Sequence, residues 1–246
     1  MAESAAEQAQ GIAVAVSQWN AWLPGIQGVE ACRQWAAGQL APNNAEQPDV
    51  TAVPAMMRRR LNGVGRQVAA VSWDMIAEGS TEPMVFASRH GDQGRTLQLM
   101  GELNAGEPLS PAAFSMSVHN AVAGVLSIAK KARGPMTALA AHDQLVSSAV
   151  LEAWGQLMAG AASVLVVIYD QPLPEAYGAS EPLPAYALTM RLRRAAHNEA
   201  MCLQGNWEQA SCAPGLDDGL AWLRWLASDQ PALTLEGELQ RWHWKK

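Results

Sequence analysis

The stretch SVLVVIY at 163–169 constrains this chain more than any other. It is apolar without alternation, so a strand made from it has no face for water and must be covered on both sides. A segment through Trp154 and Met158 that reads as a helix precedes it. A second strand, YALTMRLR at 186–193, follows and places Tyr186, Leu188, Met190 and Leu192 on one face. Doubly covered strands with helices between them predict an α/β fold, a mixed central sheet with helices on both faces.

The other segments fit that scheme. GIAVAVS at 11–17 alternates Ile12, Val14 and Val16 with small residues and reads as a first strand, closed by the turn residues Asn20, Pro24 and Gly25. VEACRQWAAGQL at 29–40 has helical spacing and stops near Gly38, and the proline- and asparagine-rich 41–54 reads as a surface excursion. In RRRLNGVGRQVAAVSWDMI at 58–76, Leu61, Val64, Val68, Val71 and Met75 recur at helical intervals, which predicts one long helix with that face in the core. MVFAS at 84–88 is a short strand, a helix opens near Asp92, and Ser110-Pro111 supplies a cap and a first helical residue. A helix bearing SMSVHNAVAGVLSIAKKA, a turn at Arg133-Gly134-Pro135 and a strand TALAA complete the middle of the chain. Near the end, DDGLAWLRWLAS reads as a helix favoured by Asp217 and Asp218 at its positive pole. LTLEGELQRWHWKK reads as one final strand, in which a bulge at Gly237 would switch the faces of the leucines and tryptophans. No repeat or linker is visible, so the expected organisation is a polar tail over 1–10 and a single domain over 11–246.

Composition narrows the function classes. With 17 basic against 23 acidic residues the net charge is −6, and a chain of that sign repels nucleic acid. The basic clusters at Lys130-Lys131 and at Arg191, Arg193 and Arg194 read as solvated edges, and so does Arg58-Arg59-Arg60 unless it docks an acidic partner. Cys32, Cys202 and Cys212 are odd in number and far apart, which predicts free thiols in a reducing cytoplasm. MAESAAEQAQ lacks the basic and apolar regions of a signal peptide, and the longest apolar run, Ala161 to Tyr169, is too short to span a bilayer, so a soluble cytoplasmic protein is expected. His90, His119, His142, His197 and His243 show neither HExxH nor carboxylates at ligand spacing, so no metal or cofactor is expected. The Gly63-x-Gly65 and HGDQG stretches lack the rest of a nucleotide-binding loop, and no GxSxG elbow seats a hydrolase nucleophile.

One constellation is richer. Ser110-Pro111 opens a helix, Asn120 precedes the small-residue pair Ala123-Gly124, Arg133-Gly134-Pro135 ends it, and Gly160-Ala161 leads into Val164 to Val167. Residues 109–170 thereby resemble the middle of the β-ketoacyl synthases of the thiolase superfamily, with the spacing held without a gap. The resemblance implies about half of a thiolase-like fold. It also implies that the strand after Arg133-Gly134-Pro135 should deliver a cysteine to the N-terminus of a buried helix, where the dipole lowers the thiol pKa for thioester formation.

Counting from Gly134-Pro135, that position falls on Asp143, or on His142 or Gln144 if the register slips by one. None is a cysteine. An aspartate at a helix start is satisfied as a cap, and a His142–Asp143 dyad is the chemical alternative. The family's two later histidines, set in glycine-rich surroundings, also have no counterpart, since His197 lies in AAHNEA and His243 in RWHWKK. Loss of nucleophile and histidines together implies a non-catalytic partner of a separate ketosynthase.

In this superfamily two protomers pair through the strand before the nucleophile, and each lines the other's acyl tunnel. The chain is similar in this respect to the chain-length factors of type II polyketide systems, and in its size and C-terminal tryptophans to small ketosynthase-like subunits of bacterial aryl polyene clusters. By that resemblance Ala113, Phe114, Met116, Ser117 and Asn120 are the expected tunnel and interface residues. Arg58, Arg59 and Arg60 are the expected docking patch for an acyl carrier protein. The expected partners are a β-ketoacyl synthase, as a heterodimer, and through it the carrier protein. Two other readings are an autonomous acyl-thioester hydrolase or decarboxylase using His142 and Asp143, and a carrier-binding scaffold without a tunnel role. Trp222 and Trp225 with Leu223 and Leu226 mark a helix face that seals either a core or an interface.

Overall fold

The computed structural model describes residues 11–178, 184–195, 201–211 and 218–246. The expected polar tail, His197, Cys212 and Asp217 lie outside the described residues. One sheet organises the rest. Its strands are β1 (Ile12–Leu23), β2 (Ile26–Gln27), β3 (Met84–Ala87), β4 (Met136–Leu139), β5 (Val164–Asp170), β6 (Tyr186–Arg194), β7 (Cys202–Gln209), β8 (Ala232–Glu236) and β9 (Gln240–Lys245). They lie in the order β4-β3-β5-β6-β1-β7-β9-β8, with β2 beside the end of β1. The β4-β3-β5 part is parallel and every other pairing is antiparallel, so the sheet is mixed as expected.

Helices α1 (Val29–Ala36), α7 (Leu145–Met158) and α8 (Asp218–Leu226) cover one face, and α3 (Gly63–Ser72) and α6 (Ala121–Lys130) cover the other. Between them run α2 (Ala55–Arg58), α4 (Gln93–Asn104) and α5 (Pro111–Ser115). The whole of β5 is buried, as its unbroken apolar run requires. Trp222 and Trp225 of α8 face the core and not an interface: both are buried, and Trp222 packs edge-on against Trp244 with ring centroids 4.8 Å apart.

Three local readings are corrected by the tertiary structure, and one strand, β7, is added to them. β1 does not end before Asn20. Val16 pairs with Leu192 and Gln18 with Arg191, so Ser17 is an extra residue, and the buried set passes from Ile12, Val14 and Val16 to Trp19, Ala21 and Leu23 on the same face. The single helix expected over 58–76 breaks at Asn62, whose Oδ1 accepts from the Gly65 N–H at 2.8 Å and caps α3, although Leu61, Val64, Val68, Val71 and Met75 are all buried as expected. The final strand is a hairpin, β8 and β9, folded back at Gly237. β7 has no apolar alternation of its own and is held by pairing to β1 and β9. Gly205 leaves room there for the Trp244 indole, whose ring would lie 2.5 Å from any Cβ.

Most basic side chains are structural or solvated. Arg191 pairs with Glu82 at 2.9 Å, Arg194 donates to the Leu157 carbonyl at the end of α7, and Lys131 pairs with Glu78. Cys32 is free, and burial pushes its thiol up to about 12. No helix is long and apolar enough to cross a membrane among the described residues.

Candidate functional site at the carboxyl edge of the parallel strands

Because β3, β4 and β5 run parallel, Ala87, Leu139 and Asp170 end on one edge of the sheet. Helix α4 begins a few residues beyond Ala87, and α7 a few beyond Leu139. In open α/β sheets this edge gathers helix N-termini and is where ligands bind. Among the described residues no group of three or more His, Cys, Asp or Glu side chains is arranged to hold a metal ion there or elsewhere.

The residue that opens α7 is Gln144. Its backbone is left-handed, with φ 55° and ψ 37°, and its side chain is buried with Oε1 lacking a protein hydrogen-bond partner. A non-glycine residue held there costs of order 1–2 kcal/mol, which the surrounding packing must offset. Asp143, expected as a possible cap, does not cap α7. Its Oδ2 accepts from the backbone N–H of Glu238 at 2.8 Å, in the loop between β8 and β9. His142 is exposed, with Nε2 3.6 Å from Glu238 Oε1. No hydrogen bond joins His142 to Asp143, so the two do not form a dyad. Gly237 makes this closure possible, since a Cβ there would fall 2.5 Å from Asp143 Oδ2 and 2.9 Å from Gln144 Nε2.

The first turn of α7 is satisfied from within the fold. The Val146 N–H donates to Asp218 Oδ2 at 2.8 Å, and Arg89 stands 4.0 Å from the other oxygen of that buried carboxylate. The positive end of α7 thus already holds an anion of the chain's own. Next to it, Asp170 accepts from the Ser88 hydroxyl at 2.9 Å and from the Arg89 backbone N–H at 3.0 Å, which ties the ends of β3 and β5 together. Sequence reading missed Ser88, Arg89, Asp170 and Asp218 as a group. Only the acid that ends the apolar run of β5 signals it, because a carboxylate there needs buried donors.

The expected tunnel residues lie in α5, which holds Ala113 and Phe114, and in the turn between α5 and α6, which holds Met116, Ser117 and Asn120. Phe114 (60% exposed) and Asn120 face solvent, and Ala113, Met116 and Ser117 are half-buried. Neighbouring Val118 is open too. Exposed apolar side chains also occur on the helices before and after β4, where Ile128 is 75% exposed and Leu151 and Met158 stand out, and elsewhere at Leu40, Met56, Met100, Leu103, Tyr177, Trp207 and Leu239. β4 is one edge of the sheet, pairs only with β3 among the described residues, and leaves Met136 and Ala138 uncovered. Among the arginines, Arg58 and Arg59 join Arg66 around a surface cleft of about 490 Å³ beside Asp49, and Arg60 is exposed nearby. The Asp49 carboxyl is held below its ordinary range by the backbone and hydroxyl of Thr51, with a smaller contribution from Arg58.

Residues 32–245 match the family model described as the β-ketoacyl synthase, N-terminal domain. The chain belongs to the β-ketoacyl synthase family. Among solved structures, a chain from the complex of the ketosynthase ApeO with its chain length factor ApeC from Xenorhabdus doucetiae is 25% identical, with a TM-score of 0.83 over 96% of this chain and 100% of that one. The ishigamide ketosynthase/chain length factor superposes with a TM-score of 0.63 at 14% identity, over 80% of this chain and 67% of that one. A chain from the complex of a type II polyketide acyl-carrier protein with its ketosynthase gives 0.56 at 13% identity, over 81% of this chain and 69% of that one. No curated protein sequence matches significantly. The fold of this β-ketoacyl synthase family member is therefore thiolase-like.

Proposed function

We propose that this chain is a non-catalytic, chain-length-factor-like subunit. It pairs with a separate β-ketoacyl synthase along β4 and helps shape that enzyme's acyl tunnel during chain elongation on an acyl carrier protein. The observation that carries the reading is Gln144. Gln144, buried and left-handed where it follows β4 and opens α7, is one of the three residues, with Asp143 from the ungapped count and His142, to which the family resemblance assigns the acyl-accepting cysteine, and none of the three carries the thiol that the thioester requires. Of the three positions the spacing allows, Gln144 is the one turned into the fold, while Asp143 and His142 engage the Glu238 loop.

The rest of the reading follows from what a dead subunit leaves exposed. An uncovered edge strand pairs readily with another chain, and Met136 on β4 and Ile128, Leu151 and Met158 on the helices before and after it are exposed apolar side chains suited to a permanent partner. The similarity to a chain of a ketosynthase–chain length factor complex supports a synthase as that partner. Ala113, Phe114, Met116, Ser117 and Asn120 are then the residues offered to the tunnel, and Arg58, Arg59 and Arg60, joined by Arg66, are the cations offered to an acidic carrier protein.

Co-expression with a candidate ketosynthase from the same gene neighbourhood, followed by size-exclusion chromatography with mass measurement, tests the reading. A stable one-to-one complex is expected. A monomer that ignores that synthase would remove the partner-subunit assignment.

A further inference from the structure

Residues 110–120 form a spur that displays Phe114 and Val118 to solvent. Most of its hydrogen bonds are local. The Ser110 hydroxyl accepts from Ala113 N, and the Ser115 and Ser117 hydroxyls donate to the carbonyls of Ala112 and Phe114. Beyond the backbone bonds to α6, which follows it (Ala121 N–H to Val118 O and Gly124 N–H to Asn120 O), the two described hydrogen bonds that tie the spur to the sheet both involve His119. Its Nε2 lies 3.1 Å from the carbonyl of Leu139, the last residue of β4, and its own carbonyl accepts from the Tyr169 hydroxyl of β5 at 3.4 Å.

A carbonyl only accepts, so Nε2 carries the hydrogen and Nδ1 is the bare nitrogen of a neutral ring. Burial holds this imidazole below its ordinary range, in keeping with that form. On its other side the ring rests against Gly91, whose φ is 63° and where a Cβ would sit 3.4 Å from Nδ1. The Gly91 N–H donates to Ser88 Oγ at 2.8 Å, and Ser88 donates to Asp170. A continuous set of contacts therefore runs from the buried carboxylate at the end of β5, through Gly91, to the imidazole and the end of β4.

We propose that His119 is the positioning residue of the tunnel wall: it fixes how far Phe114 and Val118 stand from the edge strand, and so the length of acyl chain the assembled complex accepts. The inference rests on the tunnel role given under Proposed function. A packed apolar floor rejects an added carbon–carbon unit through overlap that changes steeply over fractions of an ångström. A spur with a single side-chain tether therefore transmits any loosening of that tether to the floor.

The test uses the full chain in complex with its co-expressed synthase, as wild type, His119→Ala, His119→Gln and Phe114→Ala, read by hydrogen exchange and by the lengths of the products. His119→Ala should speed exchange over 111–120 by about two- to tenfold, the worth of one hydrogen bond. It should also broaden the product lengths and leave β5 unchanged. His119→Gln, whose amide N–H can serve the same carbonyl, should restore both. Wild-type exchange and lengths in His119→Ala, with altered lengths in Phe114→Ala, would overturn the role of His119 and leave the tunnel reading standing. Unchanged lengths in Phe114→Ala would overturn the tunnel reading and this role with it. Should His119→Ala not assemble, His119→Asn, with its shorter reach, replaces it, and equal behaviour of the Asn and Gln variants overturns the proposal.

Discussion

The backbone N–H of Val146, in the first turn of α7, donates to the buried carboxylate of Asp218 at 2.8 Å. Two segments 72 residues apart in the chain thereby share one charge at the end of the helix that follows β4. Asp218→Ala should remove about 1–3 kcal/mol of stability, the penalty for a buried donor left without its acceptor. Asp218→Asn, which still accepts, should lose less. Urea unfolding of the two variants checks this, and an alanine variant as stable as the asparagine one would refute the capping role.

Replacing Gln144 by cysteine should not produce a working synthase. The thiol would be buried in the left-handed position at the start of α7, near Gly237 and two residues before the Val146 N–H that donates to the Asp218 carboxylate, and with no histidine in contact with Gln144 among the described hydrogen bonds. An anion nearby and burial both raise a thiol pKa. Intact-protein mass after incubation with acyl carrier substrate should show no stable acyl adduct above background, and ready acylation would show that the seat remains competent.

Met136→Glu and Ile128→Glu should weaken the complex with the synthase by at least tenfold while leaving the melting temperature of the isolated chain nearly unchanged. Both side chains already face solvent in this chain, so a charge meets no desolvation there until the partner covers it. Titration by light scattering or interferometry measures the loss, and wild-type affinity in both variants would move the interface away from β4.

The tether at His119 should loosen in mild acid. Burial lowers its folded pKa below the ordinary 6.5, so between the two values the unfolded chain binds more protons than the folded one. Its contribution to stability is therefore complete above about pH 6.5 and is lost as pH falls through the lower folded value. Exchange over 111–120 should accelerate between about pH 7 and pH 5 after correction for the intrinsic rate. His119→Gln should abolish that dependence, and a flat profile in the wild type would contradict it.

What was legible in the sequence is what local pattern controls. The unbroken apolar run of β5, the helical spacing of Val64, Val68 and Val71 and the Ser110-Pro111 start each announce their own burial or geometry, because hydrophobic periodicity and caps act over a few residues. The order of landmarks from Ser110 to Val167 was enough to point to the family, and the absence of cysteine at 142–144 was plain from spacing alone.

Other features depended on partners distant in the chain. The strand through Asn20 looked finished because the phase of its alternation slips at Ser17, and only pairing with β6 absorbs the extra residue. β7 has too few apolar residues to declare itself and is a strand because β1 and β9 flank it. Spacing left three residues competing for the start of α7. The backbone of Gln144, the Asp218 carboxylate below it and the Glu238 loop above separated them, since a left-handed residue, a shared buried charge and a loop closure are set by contacts across the sheet and not by neighbours along the chain. The sequence by itself determined the layered α/β fold and the absence of cysteine at 142–144. Tertiary structure decided which of those three side chains turns into the fold and which surface is left open, because both depend on where distant segments meet.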